Sequence, residues 1–94
     1  MNLFVVHCGF YDALLSEGGA PNIYEGHHNF YVVAKDASNA KTKVKERPIY
    51  KQKKMHVDGI HQLSVVDGFK VELVPTKSAE TGIQGYNYND SKKL

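Results

Sequence analysis

The stretch FYVVAKDASNAKTKVKERP, residues 30–48, decides the fold. Phe30, Tyr31, Val32, Val33 and Ala34 have the aromatic and β-branched composition of a buried strand. Asp36 or Ser38 then offers a side-chain oxygen to the free N–H groups at the start of a helix. Ala37, Ala40 and Val44 recur at spacings of three and four and form one apolar stripe. Lys41, Lys43, Lys45, Glu46 and Arg47 fall on the solvent side. Pro48 ends the helix, because its ring removes an N–H donor and clashes with the preceding turn. A strand therefore feeds a helix that lies flat on a sheet, and an extended run follows. Such a crossover makes the two strands it joins parallel if they share a sheet.

Towards the N-terminus, Leu3, Phe4, Val5, Val6, His7 and Cys8 form a nearly continuous apolar run closed by Gly9. This pattern predicts a central strand covered on both faces. Across residues 10–29, Asp12, Ser16, Gly18, Gly19, Pro21, Asn22 and Gly26 break any period and predict a long connection. Residues 11–17 could supply a turn or two of helix, and a connection of this length is where a site would draw residues.

Towards the C-terminus, Asp67-Gly68 between two alternating runs is a hairpin turn. A two-residue loop would pair Val66 with Phe69 and put Ser64 and Gln62 on the face of Val71 and Leu73. A three-residue loop of Val66, Asp67 and Gly68, with Gly68 in the left-handed region, pairs Val65 with Phe69 and Leu63 with Val71. That register keeps one face apolar, so it is the expected one. The same parity points Met55, Val57 and His61 to the core and His56, Asp58 and Ile60 away from it, unless Gly59 resets the strand.

These signals fit a small α+β domain. The expected architecture is a mixed sheet of about four strands with one packed helix, in the order strand, long loop, strand, helix, strand, hairpin, strand. The chain has 94 residues, 41% hydrophobic and 23% charged, which excludes a disordered chain, a collagen-like repeat and a coiled coil. Residues 1–75 read as one domain and residues 76–94 as a polar, glycine-containing tail. Ile83, Tyr86 and Tyr88 give that tail enough apolar surface to dock or to add a strand. No apolar run reaches the roughly 18 residues needed to cross a bilayer, and residues 3–8 lack a basic leader. A cytoplasmic protein without a membrane partner is expected. The single cysteine, Cys8, lies in an apolar run and reads as a buried reduced thiol.

Five histidines raise a metal hypothesis, since neutral imidazole and carboxylates together make common ligand sets. Adjacent His27 and His28 point to opposite faces of an extended segment and cannot easily hold one ion together. Glu25 and His27 share a face, as do His56 and Asp58, so these four would form a site if their segments are neighbours. No His-Glu-x-x-His or Cys-x-x-Cys spacing is present, and no glycine-rich phosphate loop. His7 and Cys8 are neighbours on a strand and so face apart, which disfavours a thiolate pair.

The formal charge is +2, yet Lys35, Lys41, Lys43, Lys45, Arg47, Lys51, Lys53 and Lys54 crowd one segment against only Asp36 and Glu46. Binding of a polyanion or nucleic acid there would use Lys41, Lys45, Arg47, Lys51, Lys53 and Lys54. A solvated face is the simpler account, and nucleic acid is not the favoured partner.

Asn22, Ile23, Glu25, His27, the strand at residues 30–34, His56-Val57-Asp58-Gly59 and Val66-Asp67-Gly68-Phe69 resemble a small bacterial family known only as a domain of unknown function, numbered fifteen forty-three. The resemblance spans residues 3–73. It implies no activity, but it implies a unit found as one or two copies per chain, hence a dimer-forming domain. The favoured expectation is a non-enzymatic homodimeric interaction module without a cofactor. The alternatives are a divalent-metal or hydrolytic site at Glu25, His27, His56 and Asp58, and a polyanion surface on the basic segment.

Overall fold

A computed structural model describes residues 1–12, 24–78 and 81–94. Strand β1 (Asn2–Asp12) lies between β2 (Tyr24–Ala34) and β3 (His56–Gln62), and both neighbours run antiparallel to it. Helices α1 (Ala37–Lys45) and α2 (Pro48–Gln52) connect β2 to β3. The crossover does join parallel strands, but β1 separates them, so every hydrogen-bonded pair in the sheet is antiparallel. The class is α+β, as the alternation of strand and helix predicts. The sheet is antiparallel rather than mixed because the first strand of the chain fills the gap between the two parallel ones.

β1 runs past Gly9 to Asp12, and β2 starts at Tyr24. The long connection expected across residues 10–29 therefore shrinks, and the remainder, with most of the helical turn expected at residues 11–17, lies outside the described residues. The register pairs Val6 with Phe30 and Phe4 with Val32. Phe4, Val6, Cys8, Phe30, Val32 and Ala34 all point to one face and are buried against Ala40 and Val44 of α1 and against Met55. α1 starts where Asp36 Oδ1 accepts from the Asn39 amide at 2.7 Å, so Asp36 and not Ser38 is the cap. Of the expected stripe, Ala40 and Val44 are buried and Ala37 is exposed. Lys43 leaves the solvent side assigned to it and donates from Nζ to the Val33 carbonyl at 2.7 Å.

Pro48 occupies the first turn of α2, where its missing N–H is no loss, so the basic run after it is helical rather than extended. α2 closes with the Lys54 amide donating to the Lys51 carbonyl and the Met55 amide donating to the Tyr50 carbonyl. Lys54 takes φ 48°, the left-handed position usually held by glycine in this ending.

β1 is buried on one face only; Leu3, Val5 and His7 on the opposite face are half-buried, and among the described residues no helix covers them. The expectation of cover on both faces is corrected. In β3, the pairing steps from His7–Gly59 to Cys8–Val57, which leaves Asp58 as an extra residue in a bulge. The bulge flips parity along the strand. Ile60 packs on the core and His61 is exposed, the reverse of the sequence reading, while Met55 and Val57 keep the core side.

β4 (Val65–Val66) and β5 (Phe69–Lys70) form a separate two-stranded ribbon. Val66 pairs with Phe69 across a two-residue turn in which Asp67 and Gly68 both have positive φ, 52° and 81°. The three-residue loop was expected because it buries one apolar face. In this ribbon both faces are exposed, Phe69 at 77%, so burial does not choose the register and the tight Asp-Gly turn does. Every described residue after Val71 is exposed, including the short helix α3 (Tyr88–Lys92), which Asn87 caps. Among the described residues, no helix is long and apolar enough to cross a membrane.

Candidate functional site

The face of the sheet opposite α1 carries the odd residues of β1 and β2. The register sets Gly9 between His27 on β2 and His56 on β3, and sets His7 between Asn29 and Gly59. Glu25 and His27 lie on the same side of β2 because they are two residues apart. His56 points to that side opposite Gly9, and Asp58, two residues on, shares its face; the bulge resets the parity only from Gly59 onward.

All four residues named from the sequence therefore meet. His56 Nε2 lies 3.0 Å from Asp58 Oδ1 and 3.5 Å from Glu25 Oε1, and His27 Nδ1 lies 3.8 Å from Asp58 Oδ2. A β-carbon at Gly9 would stand 2.7 Å from Asp58 Oδ2, 2.7 Å from His56 Nε2 and 2.9 Å from Glu25 Oε1. Three donor atoms thus surround one small hollow whose floor is the Gly9 backbone. The four side chains are between a third and a half exposed, so a solute can reach them.

Two further residues, His7 and Tyr11, join the cluster. His7 stacks on His27 with ring centroids 4.9 Å apart, and its Nδ1 donates to Asn29 Oδ1 at 2.6 Å. That bond holds the neutral ring with its lone pair on Nε2, the way a hydrogen-bonded partner orients a ligand imidazole. His7, His27 and Asp58 form one set of potential ligands and Glu25, His56 and Asp58 another, with Asp58 common to both. Tyr11 stacks on His56 at 5.6 Å. The sequence carried a signal for His7: it shares the parity of Gly9 and Tyr11 on an extended strand. Only the β1–β2 register shows that this parity leads to His27.

His28 faces the other way and meets Phe30 edge-on at 4.4 Å, as adjacency to His27 requires. Cys8 is fully buried and free on the core face, and burial, with a smaller effect from Asp58, pushes its thiol up. A neutral buried thiol neither attacks nor ligates readily.

The basic residues Lys41, Lys45, Arg47, Lys51, Lys53 and Lys54 are exposed and spread over α1, α2 and the turns that end them. Two of them are placed differently from the rest. Lys53 and Lys54 line a cleft of about 280 Å³ with Phe10, Tyr11 and Gln52. Lys53 Nζ sits 4.4 Å from the centre of the Phe10 ring.

No curated protein and no solved structure matches the chain. A family described as Domain of Unknown Function (DUF1543) matches residues 22–73, more than half of the chain. The match starts at Asn22 rather than in β1, so it contains Glu25, His27, His56 and Asp58 but not Gly9 or His7. The chain is a member of the DUF1543 family.

Proposed function

We propose that the domain binds a divalent transition-metal ion through Glu25, His56 and Asp58, with His27 and His7 beside them. The supporting observation is the convergence of three donor atoms over Gly9. Around a tetrahedral ion with ligand bonds of about 2.0–2.1 Å, donors lie about 3.3 Å from one another. From His56 Nε2, Asp58 Oδ1 at 3.0 Å and Glu25 Oε1 at 3.5 Å bracket that value, with the other Asp58 oxygen turned towards Gly9. Charge argues the same way. With neutral histidines, Glu25 and Asp58 leave two negative charges around one imidazole, which a divalent cation neutralises. Exposed ion pairs of this kind add little to stability, so folding alone gives no reason to gather them.

Elemental analysis of purified protein and thermal unfolding with added zinc or manganese test this reading. Zinc at a hundred times its dissociation constant should add about 2.7 kcal/mol, a rise of about 10 °C or more in Tm for a domain of this size. Glu25→Gln with Asp58→Asn should abolish the rise. A native chain that carries no metal and shows no shift with either ion refutes the proposal.

A second reading, a homodimer, has its own support. The chain exposes 7739 Å², against about 5,400 Å² for a compact monomer of 10.5 kDa. Its radius of gyration is 16.5 Å, against about 12 Å for a compact chain of this length. Val65, Val66, Phe69 and Val74 are exposed in the ribbon and the segment after it. Tyr31 and Val33 are exposed on the face opposite α1. A second copy covering these residues is a non-enzymatic role compatible with the metal site. Light scattering after size exclusion that finds only monomer at tens of micromolar would refute it.

A further inference from the structure

The cleft beside the histidine and carboxylate cluster is built from different chemistry. Its described lining is Phe10, Tyr11, Gln52, Lys53 and Lys54, two cations and an amide among two aromatic rings. Neither lysine has an acidic partner among the described ion pairs, whose carboxylates go to histidines or, at Glu72, to Lys70. Lys53 Nζ rests instead over the Phe10 ring. The cleft adjoins the cluster along Tyr11, which lines it and stacks on His56. Along the chain, Lys54 precedes His56 by two residues.

Lys54 is costly where it stands. The left-handed φ of 48° is open to glycine without strain and disfavoured for residues with a β-carbon. Helix ending alone would favour glycine there. An exposed lysine in the strained position supplies a charge to the lining of the cleft that glycine cannot.

We infer that this cleft binds the phosphate group of a small phosphate monoester, which presents an oxygen to the ion held by Glu25, His56 and Asp58. The inference rests on the metal reading above. A charge balance selects the ligand class. A divalent ion cancels the two carboxylates, and Lys53 and Lys54 leave two positive charges. A phosphate monoester near neutral pH carries about −1.5 to −2, whereas a simple carboxylate supplies only one negative charge. The volume of about 280 Å³ suits a small ligand, and the Tyr11 and Phe10 rings give its organic part an apolar surface.

Amide chemical-shift titrations with phenyl phosphate and with benzoate, each on the full chain with and without zinc, test the inference. Expected are phenyl phosphate shifts at Tyr11 and at residues 52–56, at least tenfold tighter binding with zinc, and weaker binding of benzoate. Lys53→Gln combined with Lys54→Gln should weaken phenyl phosphate at least tenfold and leave zinc affinity within twofold. Both lysines are exposed, and a dispersed amide spectrum verifies that the variant folds. Zinc binding without phenyl phosphate binding overturns the inference and leaves the metal reading standing. Equal binding of benzoate, or unchanged binding to the double variant, overturns it too. Failure of zinc to bind removes the metal reading itself, and phenyl phosphate binding indifferent to zinc then counts against the inference.

Discussion

Gly9 sits opposite His56 in the β1–β3 register, and a β-carbon at Gly9 would stand 2.7 Å from His56 Nε2. Among the described residues the only glycine with positive φ is Gly68, so the Gly9 backbone does not itself require glycine. The open floor of the cluster does. The atoms a methyl would meet are the ends of side chains, which can swing aside. Gly9→Ala should therefore keep the fold and lower zinc affinity by about tenfold or more, as losses around a metal's ligands do. Calorimetric titration together with a urea unfolding curve checks both halves, and wild-type affinity in the variant would refute the role given to Gly9.

The start of α1 gives a test independent of the site. Asp36 accepts from the Asn39 amide, whereas Ser38 makes no side-chain cap. Asp36→Ala should cost about 1 kcal/mol, and Ser38→Ala should change stability by much less. Urea midpoints with equal slopes measure the difference. A larger loss at Ser38 than at Asp36 would contradict the capping assignment.

Lys54 tests the trade between helix ending and cleft. Lys54→Gly relieves the left-handed strain and should stabilise the domain by about 1 kcal/mol in denaturant unfolding without ligand. The same substitution should weaken phenyl phosphate binding. A variant no more stable than the parent would show that the positive φ carries no strain.

Cys8 links stability to pH. Burial raises its thiol pKa in the folded chain, and Asp58 adds to the rise. Below the ordinary thiol range both folded and unfolded chains hold the proton, so Cys8 contributes no pH slope. Above that range the unfolded chain releases its proton first, and stability falls as pH rises towards the folded-state pKa. Tyr50 acts in the same direction at higher pH, since burial, followed by Cys8, raises its pKa. Unfolding midpoints between about pH 7.5 and about pH 9.5 should decline. In Cys8→Ala that decline should be shallower, although the cavity lowers the whole curve.

Metal binding should weaken in acid, because protons compete with the ion for imidazole nitrogen. Zinc affinity should be lower at the acid end of a range from about pH 7.5 to about pH 5.5 than at its neutral end. Titrations at both ends of the range measure it, and a pH-independent affinity would exclude His56 as a ligand.

Local chemistry alone was enough for the strand at residues 30–34, the helix with its buried Ala40 and Val44 and the turn at Asp67-Gly68. Each follows from side chains within a few residues, through period, cap or turn preference. The same period placed Glu25 with His27 and His56 with Asp58 on shared faces. What joined those pairs was long-range pairing: β1 lies between β2 and β3 and brings segments about thirty residues apart to either side of Gly9. The bulge at Asp58 also escaped a strict two-residue alternation, which is why His61 and Ile60 exchanged faces. Strand neighbours and bulges are set by how whole elements pack, and no window of sequence contains both partners. The hairpin register erred for the converse reason: it assumed a buried face, and the ribbon has none, so the turn preference prevailed.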